Sequence, residues 1–287
     1  MRNADSMGGR LLRMWLWLLS KLVLLAGLML IIAIGVWLWF KQERLLFRPD
    51  VLPAATVLAS AADITETFVD VNGARLSALH LKREGAKGVV FFLHGNAGNL
   101  KSWFVNTDLY RQANFDLFMI DYRGYGKSSG NIDSETQLHA DVRAAFAKIA
   151  PQYAGKKIVV YGRSLGTGLA AKLSADLAQE PKLPQPDLTV LVSPYSSMVA
   201  LTGDVYPLVP QSLLRYPLRT DHVVSAINSP LLLIHGAADT LIAPSHSAAL
   251  KALAPKAELL LVPGAGHNDI QTFEAYRSRF VAALTGL

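Results

Sequence analysis

The stretch that decides the fold is Gly162-Arg163-Ser164-Leu165-Gly166, which has the pattern G-x-S-x-G. Residues 158–161 before it are β-branched and aromatic, and they predict a buried strand. After it, leucine recurs every fourth residue from position 165 to position 177, as in the buried stripe of a helix. Glycine on both sides removes the Cβ atoms that a sharp turn would crowd. The pattern therefore predicts that Ser164 occupies a strand-to-helix turn with its hydroxyl exposed.

A serine in such a turn is placed for nucleophilic catalysis. The N-terminus of the following helix directs unpaired N–H groups at developing negative charge, so the main-chain amide of Leu165 is predicted to be an oxyanion donor. Serine alone is a poor nucleophile and requires a base and an orienting carboxylate. A chain with 21 glycines can also contain this pattern by chance. The interpretation therefore depends on finding both partners.

Two later strands are followed by loops that contain them. The apolar run 230–234 leads into His235-Gly236-Ala237-Ala238-Asp239, and the run 258–262 is followed by His267 in a glycine-rich loop. Because the carboxyl ends of parallel strands gather catalytic groups at one sheet edge, Ser164, Asp239 and His267 should meet there.

Two assignments within these loops have alternatives. Asp269 competes with Asp239 as the orienting carboxylate, but it lies only two residues after His267 and is expected to cap the following helix. His94 and His235 each begin a His-Gly pair at a strand end, where a histidine more often braces the loop by hydrogen bonds. The prediction is therefore a Ser164–His267–Asp239 triad, with His94 and His235 structural.

The remaining apolar segments predict an α/β domain from residue 64 to 287. Asn72-Gly73 joins two predicted strands and is the preferred pair for a tight hairpin turn. The runs 88–93 and 117–120 are continuously apolar, which is typical of a parallel sheet covered by helices on both faces. Residues 194–227 have no clear strand pattern but carry several aromatic residues and prolines. They predict a small helical cap over the strand ends, with a plain long crossover as the alternative. The aromatic and aliphatic residues between Tyr195 and Tyr216 are expected to line an apolar entrance above Ser164.

The N-terminal region predicts a membrane anchor. Residues 22–40 form an uncharged run of 19 residues between Lys21 and Lys41, long enough to cross a hydrocarbon core of about 30 Å. Trp15 and Trp17 precede the run, and Trp37 and Trp39 close it, as interfacial belts do. A cleaved signal peptide is the alternative, but its apolar core would be shorter and followed by small residues. Residues 1–21 are then a short basic tail, and residues 41–63 a juxtamembrane connector along the bilayer.

The charge distribution bears on orientation and on partners. Four basic residues precede the apolar run and three follow it, which favours an N-terminus inside. In a bacterial inner membrane this places the catalytic domain in the periplasm. The net charge of +6 is concentrated in residues 1–48, which carry seven Lys/Arg and two Asp/Glu, so a nucleic-acid partner is not expected.

Composition and motifs also limit the chemistry. The chain has 287 residues and no cysteine, which excludes disulfides, thiolate metal sites and a cysteine nucleophile. The sequence has no metal-ligand cluster, dinucleotide fingerprint or phosphate loop, so neither a metal nor a cofactor is predicted.

The chain resembles the α/β-hydrolase superfamily. Three segments carry this resemblance: G-R-S-L-G at 162–166, H-G-A-A-D at 235–239 and G-A-G-H-N-D at 264–269. Within the superfamily, the chain is most similar to membrane-anchored serine hydrolases of the "α/β-hydrolase domain" type. Two further segments indicate this group, H-G-N-A-G-N at 94–99 and D-Y-R-G-Y-G at 121–126. This group includes eukaryotic protein depalmitoylases and bacterial relatives.

The resemblance covers residue 64 to the end. It implies that the second oxyanion donor is the main-chain amide of Asn96, which follows His94-Gly95. Those depalmitoylases attach to membranes through an N-terminal cysteine cluster, and this chain has no cysteine.

The predicted function is a serine hydrolase that cleaves a carboxylic ester or thioester, with lipid-like acyl substrates favoured. A serine peptidase on the same fold is one alternative. A non-catalytic, membrane-tethered binding module is another, although every catalytic position is filled.

Overall fold

A computed structural model describes residues 7–287 of the chain. It divides into two compact units, Met1–Gln42 and Glu43–Leu287. The first six residues of the predicted basic tail lie outside the described residues.

The first unit consists of most of one long helix, α1 (Met7–Leu46). The helix extends well beyond the predicted span 22–40 at both ends, because the chain contains no proline before Pro49 to end it. At 1.5 Å per residue, its 40 residues are about 60 Å long. Among the described residues, α1 is the one helix long and apolar enough to cross a membrane, judged by length and composition.

The second unit contains the remaining elements. Its strands are β1 (Arg48–Pro49), β2 (Ile64–Val71), β3 (Ala74–Leu81), β4 (Gly88–Leu93), β5 (Ala97–Gly98), β6 (Phe115–Ile120), β7 (Lys157–Arg163), β8 (Leu188–Val192), β9 (Leu231–Gly236) and β10 (Glu258–Val262). Its helices are α2 (Leu100–Trp103), α3 (Thr107–Ala113), α4 (Glu135–Ile149), α5 (Leu165–Leu177), α6 (Met198–Val205), α7 (Thr220–Val223), α8 (Ser245–Leu253) and α9 (Glu274–Thr285).

Eight of these strands form the central sheet in the order β10-β9-β8-β7-β4-β6-β3-β2. Neighbouring strands from β10 to β6 are parallel, whereas β3 is antiparallel to both β2 and β6. The β2–β3 hairpin turns at Asn72-Gly73 as predicted, with Gly73 at φ +76°. The predicted α/β architecture with a mostly parallel sheet is therefore confirmed.

Helices cover both faces of the sheet. Phe91 packs on one side with Phe146 of α4 and Leu169 of α5. The next residue, Phe92, packs on the other side with Tyr110 of α3 and Phe280 of α9. This alternation along β4 follows from the two-residue period of a strand, and it explains why the central strands are apolar throughout.

The predicted connector 41–63 requires correction, because most of it belongs to the second compact unit. Residues up to Leu46 are helical, and Phe47 is buried in the core. β1 then pairs in parallel with β5 of the loop after β4. The segment joins the domain through buried Phe47 and through main-chain hydrogen bonds to the loop after β4. The folded domain therefore begins near residue 43 and not at residue 64.

Residues 194–227, all within the described range, contain α6, α7 and 3₁₀ turns but no strand. The helical character of the insertion agrees with the sequence, and its role as a cap stays a prediction. Tyr195 and Tyr216 were expected to line an entrance above Ser164. Both are instead fully buried in the core. The Tyr195 hydroxyl donates to the Leu165 carbonyl at 3.0 Å, so this tyrosine fastens the insertion to the start of α5.

Candidate active site

Ser164 lies in a strained turn between β7 and α5. Its backbone has φ +51° and ψ −118°, a conformation that a residue with a side chain rarely adopts and that costs on the order of 1–3 kcal/mol. A Cβ on Gly162 would lie 2.4 Å from the Gly166 carbonyl oxygen, and a Cβ on Gly166 would lie 2.0 Å from the Leu93 carbonyl oxygen. Both flanking glycines are thus required by close backbone approach. β7 extends to Arg163, two residues beyond the predicted strand, so the turn is confined to Ser164.

The two predicted partners lie beside this serine. The Ser164 hydroxyl is 3.0 Å from His267 Nε2, and His267 Nδ1 is 2.8 Å from Asp239 Oδ2. The three residues come from the ends of β7, β9 and β10, which are close together because these strands are parallel. The Asp239 side chain is fully buried and that of His267 is 9% exposed. The fold thus brings together all three residues that the sequence placed in the triad.

Asp239 is held by further donors. Its Oδ1 accepts the main-chain N–H groups of Leu241 and Ile242 at 3.0 and 2.9 Å. His235 Nε2 lies 3.3 Å from Oδ2. Burial alone would raise the pKa of Asp239, but hydrogen bonds from His235 and His267 outweigh it and lower the pKa well below the usual range. Asp239 is therefore a carboxylate across the physiological pH range.

Asp269 neither orients His267 nor caps the following helix, the two roles considered from the sequence. Its Oδ1 accepts the main-chain N–H of Gly266 at 2.7 Å, and the residues that follow form a 3₁₀ turn that its side chain does not cap. Among residues 7–287, no hydrogen bond joins Asp269 to His267. The expected helix cap is wrong, because the side chain turns back to close the loop that carries His267.

The histidines predicted to be structural brace their loops. His235 donates through Nε2 to the Ile242 carbonyl at 2.8 Å, and its Nδ1 is 2.6 Å from the Ser247 hydroxyl. This histidine also contacts the buried carboxylate of Asp239. It therefore joins the loop after β9 to helix α8 and supports the orientation of Asp239.

The two predicted oxyanion donors come from the start of α5 and from the loop after β4. Leu165 is the first residue of α5, so its N–H has no acceptor within the helix. Asn96 follows Gly95, where a Cβ would lie 3.6 Å from the Ser164 Cβ. His94 Nδ1 donates to the Gly95 carbonyl at 2.7 Å. In a trans peptide the Asn96 N–H points opposite to that carbonyl, so His94 fixes the direction of this N–H.

Two tyrosines of the D-Y-R-G-Y-G stretch were not assigned a role from sequence. Tyr122 donates to the His94 carbonyl at 2.8 Å, and Tyr125 donates to the Asn96 carbonyl at 2.6 Å. Burial raises the pKa of both hydroxyls, so they remain protonated donors. The stretch was recognised as a motif, but only the fold shows which carbonyl groups it binds.

Arg163 also went unassigned, because it occupies a variable position of the G-x-S-x-G pattern. Its side chain is 3% exposed, and its Nη2 donates to the main-chain carbonyl of His267. The residue before the nucleophile therefore holds the loop that carries the base.

A cleft of about 390 Å³ lies on the side of the sheet that Arg163 faces. Its aromatic lining is Phe92, Trp103, Tyr110, Tyr161 and Tyr276. Within the described part of the chain, residues 194–227 contribute nothing to the lining. The apolar surface next to the candidate site is therefore built by the sheet, α2, α3 and α9, and not by the insertion. No group of three or more His, Asp or Glu residues among residues 7–287 is placed to hold a metal ion.

Comparison with known proteins identifies the family. A family model described as serine aminopeptidase, S33, matches residues 84–215. The human α/β-hydrolase domain-containing protein 17B is 31% identical over 214 residues, which cover 72% of this chain and 70% of the human protein. The chain belongs to the α/β-hydrolase superfamily. The superfamily predicted from its motifs is thereby confirmed.

Other relatives lead to the same family. The α/β-hydrolase domain-containing protein 17C of Xenopus tropicalis is 34% identical over 201 residues, which cover 68% of this chain but only 61% of that protein. An esterase of Pyrococcus furiosus superposes with a TM-score of 0.63 and 21% identity, covering 84% of this chain and 98% of the esterase. A soluble variant of monoglyceride lipase of Saccharomyces cerevisiae superposes with a TM-score of 0.61 and 17% identity. The superposition covers 82% of this chain and 98% of the lipase. These two structures support the fold.

Proposed function

We propose that this chain is a serine hydrolase that cleaves a carboxylic ester or thioester through an acyl-enzyme on Ser164. The observation that carries the proposal is the hydrogen-bonded series from Ser164 Oγ to His267 at 3.0 Å and from His267 to Asp239 at 2.8 Å. Strain at Ser164 and the buried, ionised Asp239 support the same assignment.

In the acylation step, His267 Nε2 takes the hydroxyl proton while Ser164 Oγ attacks the carbonyl carbon of the substrate. The carbonyl oxygen becomes an oxyanion, which the N–H groups of Asn96 and Leu165 stabilise. Collapse of this intermediate breaks the bond to the leaving alcohol or thiol, which receives the proton from His267. The acyl group remains on Ser164.

Deacylation repeats these steps with water. His267 removes a proton from the water, whose oxygen attacks the acyl carbonyl and forms a second oxyanion. The intermediate releases the carboxylic acid, and the proton returns to Ser164. Throughout, Asp239 holds the imidazole in the tautomer with Nδ1–H and stabilises its charged form.

The cleft supports a lipid-like acyl substrate, since five aromatic residues form part of its lining and Arg163, the neighbour of Ser164, lies in the same lining. The apolar run 22–40 supports anchoring by a single span of α1, with the basic tail 1–21 before it. The slight excess of basic residues before the run supports an N-terminus inside. In a bacterial cell, this arrangement would place the catalytic domain in the periplasm.

The test is a profile of the detergent-solubilised full chain against esters, thioesters and aminoacyl amides of graded length, with Ser164→Ala as the control. Each methylene buried in an apolar site contributes about 0.8 kcal/mol, so extending an acyl chain from four to eight carbons should raise kcat/KM by roughly a hundredfold. A preference for acetyl or butyryl esters would contradict the lipid-like substrate.

A serine peptidase is the second candidate, because the description of the matching family model is serine aminopeptidase. Faster turnover of aminoacyl amides than of any ester in the same profile would favour it. Both candidates require Ser164, so the comparison of leaving groups, and not the loss of activity in Ser164→Ala, distinguishes them.

A further inference from the structure

The segment from the last residue of α1 to Asp50 makes direct contact with the loop that carries Asn96. We infer that residues 46–50, here called the clamp segment, position the main-chain amide of Asn96 for catalysis. The inference rests on the proposed function, in which that amide is an oxyanion donor. It assigns a role in the site to residues whose sequence indicated only a connector.

Asn96 is held by the clamp segment at two points. Its carbonyl accepts the Arg48 main-chain N–H at 2.8 Å, and its side-chain Nδ2 donates to the Leu46 carbonyl at 3.2 Å. Tyr125 donates to the same Asn96 carbonyl from another side. Two hydrogen bonds therefore fix the peptide after Asn96, and a third holds the Asn96 side chain.

The peptide before Asn96 is fixed separately by the bond from His94 to the Gly95 carbonyl. With both flanking peptides held, the two backbone dihedral angles of Asn96 have little freedom. The direction of the Asn96 N–H then depends on the clamp segment as well as on His94. If the bond from Arg48 is lost, the peptide after Asn96 keeps only the bond from Tyr125 and can rotate further.

The contact continues along the loop. Asp50 N–H donates to the Gly98 carbonyl at 3.0 Å, and Asn99 Nδ2 donates to the Asp50 carbonyl at 2.8 Å. Together with the bond from Arg48, these make β1 and β5 a short parallel pair. The loop from residue 96 to residue 99 is thus bound along its length by the clamp segment.

The clamp segment is itself held to the domain. Phe47 is 4% exposed and packs edge-to-face on Tyr216, with ring centroids 5.1 Å apart. Glu43, one turn before it on the helix, accepts the Tyr216 hydroxyl at 2.9 Å and pairs with Arg215. On the other side, Gly126 N–H donates to the Asp50 carbonyl at 3.1 Å. Because the clamp segment is fixed at both of its ends, it can restrain the loop 96–99 that is bonded to it.

The test compares two substitutions in the full chain. Arg48→Pro removes the N–H that donates to Asn96, and Arg48 is the first residue of β1, a position that accepts proline. Arg48→Ala removes only the side chain and keeps this N–H. An oxyanion donor contributes about 10²–10³ to kcat, so partial misplacement should lower the kcat of Arg48→Pro by roughly tenfold to a hundredfold relative to Arg48→Ala. KM and the melting temperature should be similar in the two variants.

A second readout separates positioning from a purely structural role. A trifluoromethyl ketone forms a hemiketal oxyanion on the serine, so its affinity depends on the oxyanion donors. Arg48→Pro should lose affinity for the ketone by the same factor by which it loses kcat/KM. Equal kcat and equal ketone affinity in the two variants would overturn the inference.

If Arg48→Pro does not fold, Asn96→Ala serves instead, since it cuts the bond to the Leu46 carbonyl and keeps the Asn96 N–H. Unchanged ketone affinity in that variant would equally overturn the inference. Failure of the parent protein to bind the ketone through Ser164 would instead contradict the proposed function. The two failures are therefore distinguishable.

Discussion

Asp239 receives the Nδ1–H of His267 at 2.8 Å on one oxygen, while its other oxygen accepts two main-chain N–H groups. Each oxygen is thus occupied in a fixed direction, and the histidine can pair with only one edge of the carboxylate. Asp269, two residues after His267, binds the Gly266 N–H instead. This difference in partners separates the two candidate carboxylates.

The first prediction compares these two aspartates. Asp239→Asn should remain folded but lose kcat by several orders of magnitude, on the order of 10⁴, because an amide favours the wrong histidine tautomer. Asp269→Asn keeps an oxygen that can accept the Gly266 N–H and should change kcat by less than about tenfold. Steady-state kinetics with a soluble ester measures both. The opposite ranking would assign the orienting role to Asp269.

The second prediction concerns acid. The pKa of Asp239 is lower in the folded protein than the value of about 4 for an unfolded chain, so its charge stabilises the fold above pH 4, and this contribution is lost as the pH falls. The difference in melting temperature between the parent and Asp239→Asn should therefore shrink between pH 6 and pH 3. Thermal melts in one detergent at both pH values measure it. A difference that grows on acidification would contradict the depressed pKa.

The third prediction concerns the anchor. Removal of residues 1–42 ends the deletion where the first compact unit ends and leaves the clamp segment intact. The truncated protein should no longer sediment with membranes and should hydrolyse a short soluble ester at a rate similar to that of the full chain. Fractionation and kinetics test this. If a folded truncation has no activity, residues 1–42 are part of the site.

The fourth prediction concerns stability. Arg123 and Asp141 form a two-bonded ion pair with side chains only 5% and 6% exposed, and Arg123 also donates to the Asn72 carbonyl. Asp141→Asn leaves the buried guanidinium without its counter-charge and should cost about 3–5 kcal/mol.

The matched control is Asp176→Asn. It removes a half-exposed ion pair between Asp176 and Lys172, which lie one turn apart on α5. It should cost less than about 1 kcal/mol. Denaturation midpoints of the two variants compare them. Equal losses would mean that burial does not set the strength of the pair at Arg123.

Local sequence patterns predicted the parts of this molecule that local physics determines. The apolar run before Ser164 and the leucines after it define a strand and a helix without any knowledge of distant residues. Asp239 and His267 could be selected because parallel strands must end at one edge. The end of β7 was missed by two residues, since glycine and arginine carry no strand signal and are held there by pairing with β4 and β8.

The remaining parts depend on contacts between distant segments. Arg48-Pro49 is too short to show a strand period, and its pairing with Ala97-Gly98 has no sequence signature. Tyr195 and Tyr216 look like the lining of an entrance, because an aromatic residue in an insertion has the same pattern whether it faces a cavity or the core. Their burial could be known only after the fold placed them.

The central claim is that Ser164 is the nucleophile. The most direct measurement is covalent labelling of the full chain by a fluorophosphonate probe, read by intact mass, for the parent, Ser164→Ala and Ser225→Ala. Ser225 is an exposed serine outside the site and serves as the control. The account predicts one adduct on the parent and on Ser225→Ala and none on folded Ser164→Ala. Labelling of Ser164→Ala equal to that of the parent would contradict it.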